Sequence, residues 1–445
     1  MNRSLWAVLL GTFTLRFSTG LTGALLIYYL AELHRHQRLL DELLGLGPGQ
    51  PVGPIAFGVI TALFYAAELV FSPVFGVLSD RIGHHRVMQF GPVFGALAAV
   101  ATWVTTNLPI IGATRILEGS ATASSVPSIL GYIAAATADD ESLRGKAVAR
   151  FEAATLAGLL SGFVVAGLIF PVLGPTAFLV NGLIYGVSFA IYRFGVDERL
   201  DPGPEGQLAG GQPAAASRTT DLGHYWKILT GTHVWLLAPT WIAINAVLGL
   251  YTTQTLFQMV RARDPRFPGQ LLMGGIDSVQ VSIGLAIGGA LFFAGLIYWG
   301  NRFKAIRRTT IILYGLGGGA LIAMGAIAVN HSADVPELFR LAFAIPIVLG
   351  VFVLAGATPA AIGLLADVTE AYPKDRGAIM GLYSVFLGVG QITGSLIAGL
   401  AANGFGLDGV LIASVVLLGA AVVPLLVLRR HEHTLGESGG RAVLE

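Results

Sequence analysis

The chain has 445 residues, of which 54% are apolar and 12% charged, with a formal net charge of +1 at pH 7. So few polar groups do not cover a water-soluble surface of the usual kind, and a near-neutral balance gives no basic surface for nucleic acid. With no cysteine in the sequence, disulfides and thiolate metal sites are excluded.

Twelve apolar stretches follow one another, at 5–31, 54–79, 87–107, 109–137, 146–170, 172–194, 234–259, 276–299, 309–329, 338–366, 377–402 and 406–428. Each exceeds the roughly 20 residues that carry a helix across a bilayer. Backbone polar groups facing lipid must be satisfied within their own segment, so the expectation is an all-α integral membrane protein of 12 transmembrane helices. With the N-terminus placed inside, 19 of the 27 Lys and Arg fall on the cytoplasmic side and 6 outside, while Arg16 and Arg115 lie within spans. That bias predicts both termini in the cytoplasm and residence in the plasma (inner) membrane. Arg16 interrupts the first stretch and no small-residue cleavage site closes it, so it reads as a span and not a signal peptide.

Arg16 in span 1 and Glu68 in span 2 both fall near midplane. Charges at that depth are costly and mark function by default. The two either form a structural pair or serve proton coupling or solute binding. Between them, residues 30–44 set Leu33, Leu39, Leu40, Leu43 and Leu44 against His, Arg and Glu, which predicts a short helix on the outer membrane surface.

After span 2 the chain reads Gly76-Val77-Leu78-Ser79-Asp80-Arg81-Ile82-Gly83-His84-His85-Arg86. This segment resembles the loop between helices 2 and 3 of major facilitator superfamily transporters, and the resemblance extends over essentially the whole chain. It implies two six-helix bundles related by a pseudo-twofold axis along the membrane normal, with a solute site near midplane between them. It also implies a latch built from Gly76, Asp80, Arg81, Gly83, His84 and Arg86. In it Asp80 is held against the start of helix 11, near Asp375-Arg376-Gly377, with Arg376 a further partner. His84 stands where the family usually has an arginine that relays charge to an acid at the end of helix 4; Asp139 and Asp140 are the candidates. Either protonated His84 does this, or Arg86 takes over and His84 faces solvent.

In span 4, Arg115 and Gly119 resemble the family's Arg-x-x-x-Gly pattern, and Glu118 shares a helix face with Arg115. In the resembling antiporters this arginine influences protonation of a nearby carboxylate, here Glu118 or Glu68. Arg16, Glu68, Arg115 and Glu118 are therefore the proton-coupling candidates. Glu152 is expected to pair with Arg150 or Lys146, and Asp277 to cap span 8. Span 5 has Gly158 and Gly162 without the proline that proton-driven drug exporters commonly carry there, which weighs against export.

Residues 196–230, rich in Pro, Gly, Ala and Ser, read as a cytoplasmic linker between bundles at 1–195 and 231–445. The halves repeat. At an offset of 232 residues Pro127, Gly131, Arg144, Gly158 and Gly162 meet Pro359, Gly363, Arg376, Gly390 and Gly394, and glycines four apart suit close helix approach. A second copy of the motif runs from Trp299 to Arg308, with Asn301 for the acid and Lys304 for the second glycine. Spans 7, 9, 11 and 12 read as free of charge within their apolar stretches. Trp241, Asn245, Tyr251, Gln254, Tyr383 and Gln391 offer aromatic and amide groups to a mostly apolar solute, or else are core and interface residues. The His34/His36 and His431/His433 pairs point apart on a helix, so no metal is expected, nor any cofactor or enzymatic activity.

The expected protein is a monomeric secondary transporter that works by alternating access and exports a small amphipathic or drug-like molecule in exchange for protons. A proton-coupled importer or facilitator of an organic anion is the alternative that Arg16 and Arg115 favour. A non-transporting sensor or assembly factor on the same fold is the other.

Overall fold

The computed structural model of the chain describes residues 2–35, 38–44, 49–138, 140–200, 237–302, 305–371 and 376–431. Among them every regular element is a helix. The chain divides into two compact units: Met1–Val52, Ile60–Ser217 and Asp277–Ala286 in one, and Gly53–Val59, Arg218–Ile276 and Ile287–Glu445 in the other. Of the expected linker at 196–230, residues 201–230 lie outside the described residues.

The elements up to residue 200 are α1 (Arg3–Ala31), α2 (Leu39–Leu43), α3 (Pro54–Ile82), α4 (His84–Val87), α5 (Phe90–Trp103), α6 (Leu108–Ala136), α7 (Glu141–Leu173) and α8 (Ala177–Ala190), the last continued by a π-helical turn at Ile191–Gly195. Side chains start several of them: Asn2 accepts from the Leu5 N–H, Asn107 from Ile110 and Asp140 from Leu143. Asp140 is thus the N-cap of α7, and Asp139 lies outside the described residues. Hydroxyls within the spans bond their own helix, as Thr12 does to Val8 O at 2.8 Å and Ser128 to Ser124 O at 2.6 Å. Polar residues are thereby carried through an apolar medium.

The later elements are α9 (Leu237–Gly249), a π-helical turn at Leu250–Gln254, α10 (Thr255–Val260), α11 (Ser278–Gly300), α12 (Arg308–Asn330), α13 (Glu337–Leu354), α14 (Ala357–Ala371) and α15 (Arg376–His431). Asp277 accepts from the Val279 N–H at 3.1 Å and so caps α11 as expected. Among the described residues seven stretches are long and apolar enough to cross a membrane. Two of these, Ser142–Gly195 and Ser384–Arg430, run to 54 and 47 residues, about twice one crossing. Large apolar side chains on the outer faces, such as Leu183 (73% exposed) and Leu338 (76%), require lipid around them.

Several expectations are corrected. The tenth stretch is divided at Ala355–Gly356 into α13 and α14; a side chain at Gly356 would lie 2.7 Å from the Trp299 ring. The last two stretches meet at Gly406 (φ 63°, ψ −143°) with no loop between them. Gln270 satisfies that corner, accepting from Leu407 N at 2.7 Å and donating to Phe405 O at 2.8 Å. The twelfth stretch is not free of charge: Asp408 near its start accepts from Asn330 Nδ2 at 2.7 Å and lies 2.7 Å from His331 Nε2.

Residues 30–44 form no single surface helix. A 3₁₀ turn at Leu33–Arg35 and the short α2 replace it, because Asp41 is drawn into the protein. Its carboxylate accepts from Thr105 Oγ1 (2.7 Å), Thr106 N (2.7 Å) and Thr106 Oγ1 (2.6 Å). Burial alone would raise this carboxyl, but these hydrogen bonds outweigh it and hold Asp41 below its usual range.

The glycine pattern is a packing code. A Cβ on Gly158 of α7 would lie 2.6 Å from Phe13 O and 3.0 Å from Arg16 Cβ of α1; one on Gly390 of α15 would lie 2.6 Å from Ile242 O and 2.7 Å from Asn245 Cβ of α9. Gly162 meets Phe17 O and Gly394 meets Ala246 O in the same way. The two pairs of helices pack through equivalent atoms, and Asn245 of the second pair stands where Arg16 stands in the first.

Candidate functional site

The membrane-depth charges gather on α1, α3, α6 and α7. Glu68, midway along α3, is half-buried, as is Arg16 midway along α1. Arg16 acts electrostatically on both Glu68 and Glu152. Among the described residues neither carboxylate forms an ion pair with it within 4 Å, so of the two alternatives for Arg16 and Glu68 the direct pair is not formed in this structure. Glu152 is corrected too: its charge neighbour is Arg16, and Arg150 stacks on the Trp6 ring at 5.3 Å.

Arg115 and Glu118 bridge directly through Nη1 and Oε2, with side chains 8% and 2% exposed. The Arg115 guanidinium also lies over the Phe64 ring, 4.8 Å from its centroid. Tyr185 of α8 donates to Glu118 Oε1 at 3.4 Å, and Thr22 stands beside the same carboxylate. One guanidinium nitrogen of Arg115, Nε, is buried without a partner. This pair is bridged directly; Glu68 has only the charge of Arg16 nearby.

The motif at 76–86 is a helix end more than a loop. α3 continues through Asp80 and Arg81 to Ile82, and the break falls at Gly83, where φ 99° and ψ 137° admit only glycine without strain. Gly76 sits against Pro127 of α6, 3.9 Å from a built Cβ. Asp80 and Arg81 are exposed. His84 does not face solvent: 13% exposed, it lies 3.4 Å from Asp80 and packs its ring into the notch left by Gly131 of α6. Arg86 turns away to Glu198 at 3.1 Å, so it does not take over the relay. In the other unit Arg308 fills the matching notch at Gly363, with Nε 2.8 Å from a built Cβ and Nη1 donating to Gly363 O at 2.5 Å. Lys304 and the Arg376 side chain lie outside the described residues.

Of the six proposed solute contacts, Trp241 is buried in an apolar core with Ile244, Trp299 and Ile311. Asn245 donates to Trp241 O at 2.8 Å, and Tyr251 donates to Gly319 O at 3.0 Å with Ser414 Oγ at 2.9 Å. All three are buried or half-buried and packed within the protein. Gln254, at the end of the π-helical turn, is buried with both amide atoms unpartnered, and Gln391 Oε1, against Gly249, is unpartnered as well. The Tyr383 side chain lies outside the described residues.

The family model of the Major Facilitator Superfamily matches residues 8–335 and 275–443. The chain belongs to this superfamily. Quinolone resistance protein NorA of Staphylococcus aureus (strain COL) is 21% identical to this superfamily member over 410 residues, 88% of this chain and 95% of NorA. Lysophospholipid transporter LplT of Photorhabdus laumondii subsp. laumondii is 30% identical over 188 residues, 42% of each chain. Among solved structures, the nucleoside transporter NupG superposes with a TM-score of 0.71 at 12% identity, covering 97% of this chain and 99% of NupG. A POT family transporter in complex with a thioalcohol-conjugated peptide gives 0.67 at 13%, covering 97% and 96%. The protein is a multi-pass membrane transporter of the superfamily and not an enzyme.

Sequence reading of this superfamily member missed Phe64, Tyr185 and Thr22, which surround Arg115 and Glu118. Tyr185 had one signal: Gly95 of α5 leaves the room its ring occupies. Arg308 ends the second copy of the motif, and the repeat of Gly131 at Gly363 is the sequence signal for the notch it fills.

Proposed function

We propose that this superfamily member is a twelve-span carrier with both termini in the cytoplasm, working by alternating access and exporting a small amphipathic or drug-like molecule in exchange for protons. The observation that carries the reading is Glu68, an ionisable group midway along a membrane helix with a cation nearby but no ion pair. A carboxylate at that depth is tolerated beside a cation or with a proton bound. A shift that brings Arg16 onto Glu68 exchanges one condition for the other, and that exchange couples proton release to a conformational step. The compensated Arg115–Glu118 pair supplies fixed charge behind it. Similarity to a quinolone resistance protein along 88% of the chain supports the solute class, and the unpartnered amide of Gln254 and amide oxygen of Gln391 suit a weakly polar cargo. The segment Gly76–Arg86, with Asp80 exposed at its centre, serves as the latch.

Arg16, half-buried and without a carboxylate within 4 Å among the described residues, also favours a second reading, uptake or facilitated passage of an organic anion.

Transport into proteoliposomes, with a quinolone as probe, tests both. Glu68→Gln is expected to abolish movement driven by a pH gradient and to spare exchange at fixed pH. Equal loss of both would make Glu68 structural, and transport of an organic anion in place of the quinolone would select the second reading.

A further inference from the structure

Where α4 and α5 meet the π-helical end of α8, the first unit carries a cavity of about 660 Å³. Its apolar wall is Phe90, Phe94 and Phe189, and its polar rim holds Arg86, Arg193 and Glu198. A second, more polar cavity of about 540 Å³ shares His85, Arg193 and Glu198 with the first and is lined by Asn2 and Arg3 among others. Arg193 sits in the middle of the π-helical turn, a distortion often found at functional sites. His85 steadies the turn, its Nε2 lying 3.0 Å from Tyr192 O. The Arg193 side chain is exposed and, among the described residues, has no carboxylate within 4 Å. Arg86 is bridged to Glu198. Two guanidiniums against one carboxylate leave the rim with a single excess positive charge.

The surface running away from this rim is apolar and open. Val93, Leu97 and Val100 are exposed at helical spacing along α5, as are Val187, Leu183 and Val180 along α8. Gly186 has nothing within 4 Å of where its Cβ would be, and Gly182 meets only Val100 and Ala96 at 3.6 Å or beyond. The paired helices therefore present a shallow channel beneath a cationic rim.

We propose that this groove is a docking site for one anionic glycerophospholipid. Its phosphodiester lies between Arg193 and Arg86, and an acyl chain follows the channel over Gly186. Charge complementarity selects the occupant: a headgroup with one net negative charge matches the rim, whereas a zwitterionic headgroup brings none. Guanidiniums suit phosphate oxygens in geometry as well as charge, and basic pockets between membrane helices at the cytoplasmic side are established lipid sites. The site involves none of the groups assigned to proton coupling and stands whatever solute is carried.

The full chain, purified in detergent, tests this by thermal unfolding and native mass spectrometry with added phosphatidylglycerol, phosphatidylcholine or inorganic phosphate. Phosphatidylglycerol is expected to bind and stabilise, with about tenfold weaker binding in Arg193→Gln and intermediate binding in Arg193→Lys, which keeps the charge but loses the planar fork. Gly186→Leu, which fills the channel but keeps every charge, should also lose the stabilisation. Because position 186 is open and Arg193 exposed, both variants are expected to fold, and either alone decides the matter. Equal stabilisation by phosphatidylcholine, equal stabilisation by inorganic phosphate, or unchanged phosphatidylglycerol binding in a folded variant would overturn the proposal.

Discussion

Arg115 and Glu118 are three residues apart on one helix, which places their side chains together before any tertiary contact forms. What the rest of the unit adds is the Phe64 ring over the guanidinium and the Tyr185 hydroxyl on the carboxylate. Those contacts keep both groups out of lipid. Removing one partner leaves the other buried and uncompensated, so Glu118→Gln is expected to lower stability by about 3–5 kcal/mol. The double replacement Arg115→Met with Glu118→Leu should recover most of that loss in thermal unfolding. If the recovered protein still moves solute against a pH gradient, the pair is structural; if it folds but no longer couples, Glu118 shares the proton site with Glu68. His84 shows the converse dependence on context. Its place in the motif was plain from sequence, yet whether it faced solvent depended on Gly131, a residue of another helix.

Close helix approach here rests on glycines whose absent side chains would strike backbone, which cannot yield as a flexible side chain does. Gly317 and Gly318 of α12 separate this effect from helix propensity. A Cβ on Gly318 would lie 2.7 Å from Gly350 O and Leu354 N of α13, while Gly317 has nothing within 4 Å. Gly318→Ala is therefore expected to cost about 1–3 kcal/mol, and Gly317→Ala to gain about 0.5–1 kcal/mol. Thermal unfolding in detergent checks the opposite signs, and equal shifts for the two would refute the packing account. The same principle explains the equivalent contacts of Gly158 and Gly390: a repeat seen only as spacing in sequence becomes a shared backbone-to-backbone seam. Element boundaries were harder to read. Apolar runs do not mark where a helix turns, and Gly83, Gly356 and Gly406 each redirect the chain within or beside an apolar stretch.

A chain without cysteine allows single cysteines to be introduced without background labelling. Placed at Leu43, a cysteine should react with a membrane-impermeant reagent from outside intact cells, and one at Arg81 only after the membrane is opened; the reverse pattern would invert the orientation that the positive charges predict. The latch reading adds a second expectation. Asp80→Asn should raise labelling on the face of the protein that bears residues 76–86, because an interaction favouring the closed state there is weakened. Unchanged labelling would remove Asp80 from that role. Stability of the lipid-bound form adds to either state by mass action, so labelling is best compared at fixed lipid composition.

Composition and hydropathy were enough to place this chain in a bilayer, and the segment Gly76–Arg86 was enough to liken it to its superfamily. The reason is that the membrane imposes one solution on apolar backbone, the helix, and lengths and charges are readable one residue at a time. The repeat at a constant offset was legible for the same reason, since it is itself a property of sequence. Tertiary structure alone decided which polar groups met. Arg16 and Glu68 share a depth but no ion pair, Asp41 leaves the surface for two threonines, Trp241 and Tyr251 belong to the core, and Arg193 lines a cavity with the Phe194 ring beneath its guanidinium. Depth along a helix comes from counting, whereas direction around it is set by what the neighbouring helices leave room for, and that depends on side chains distant in sequence.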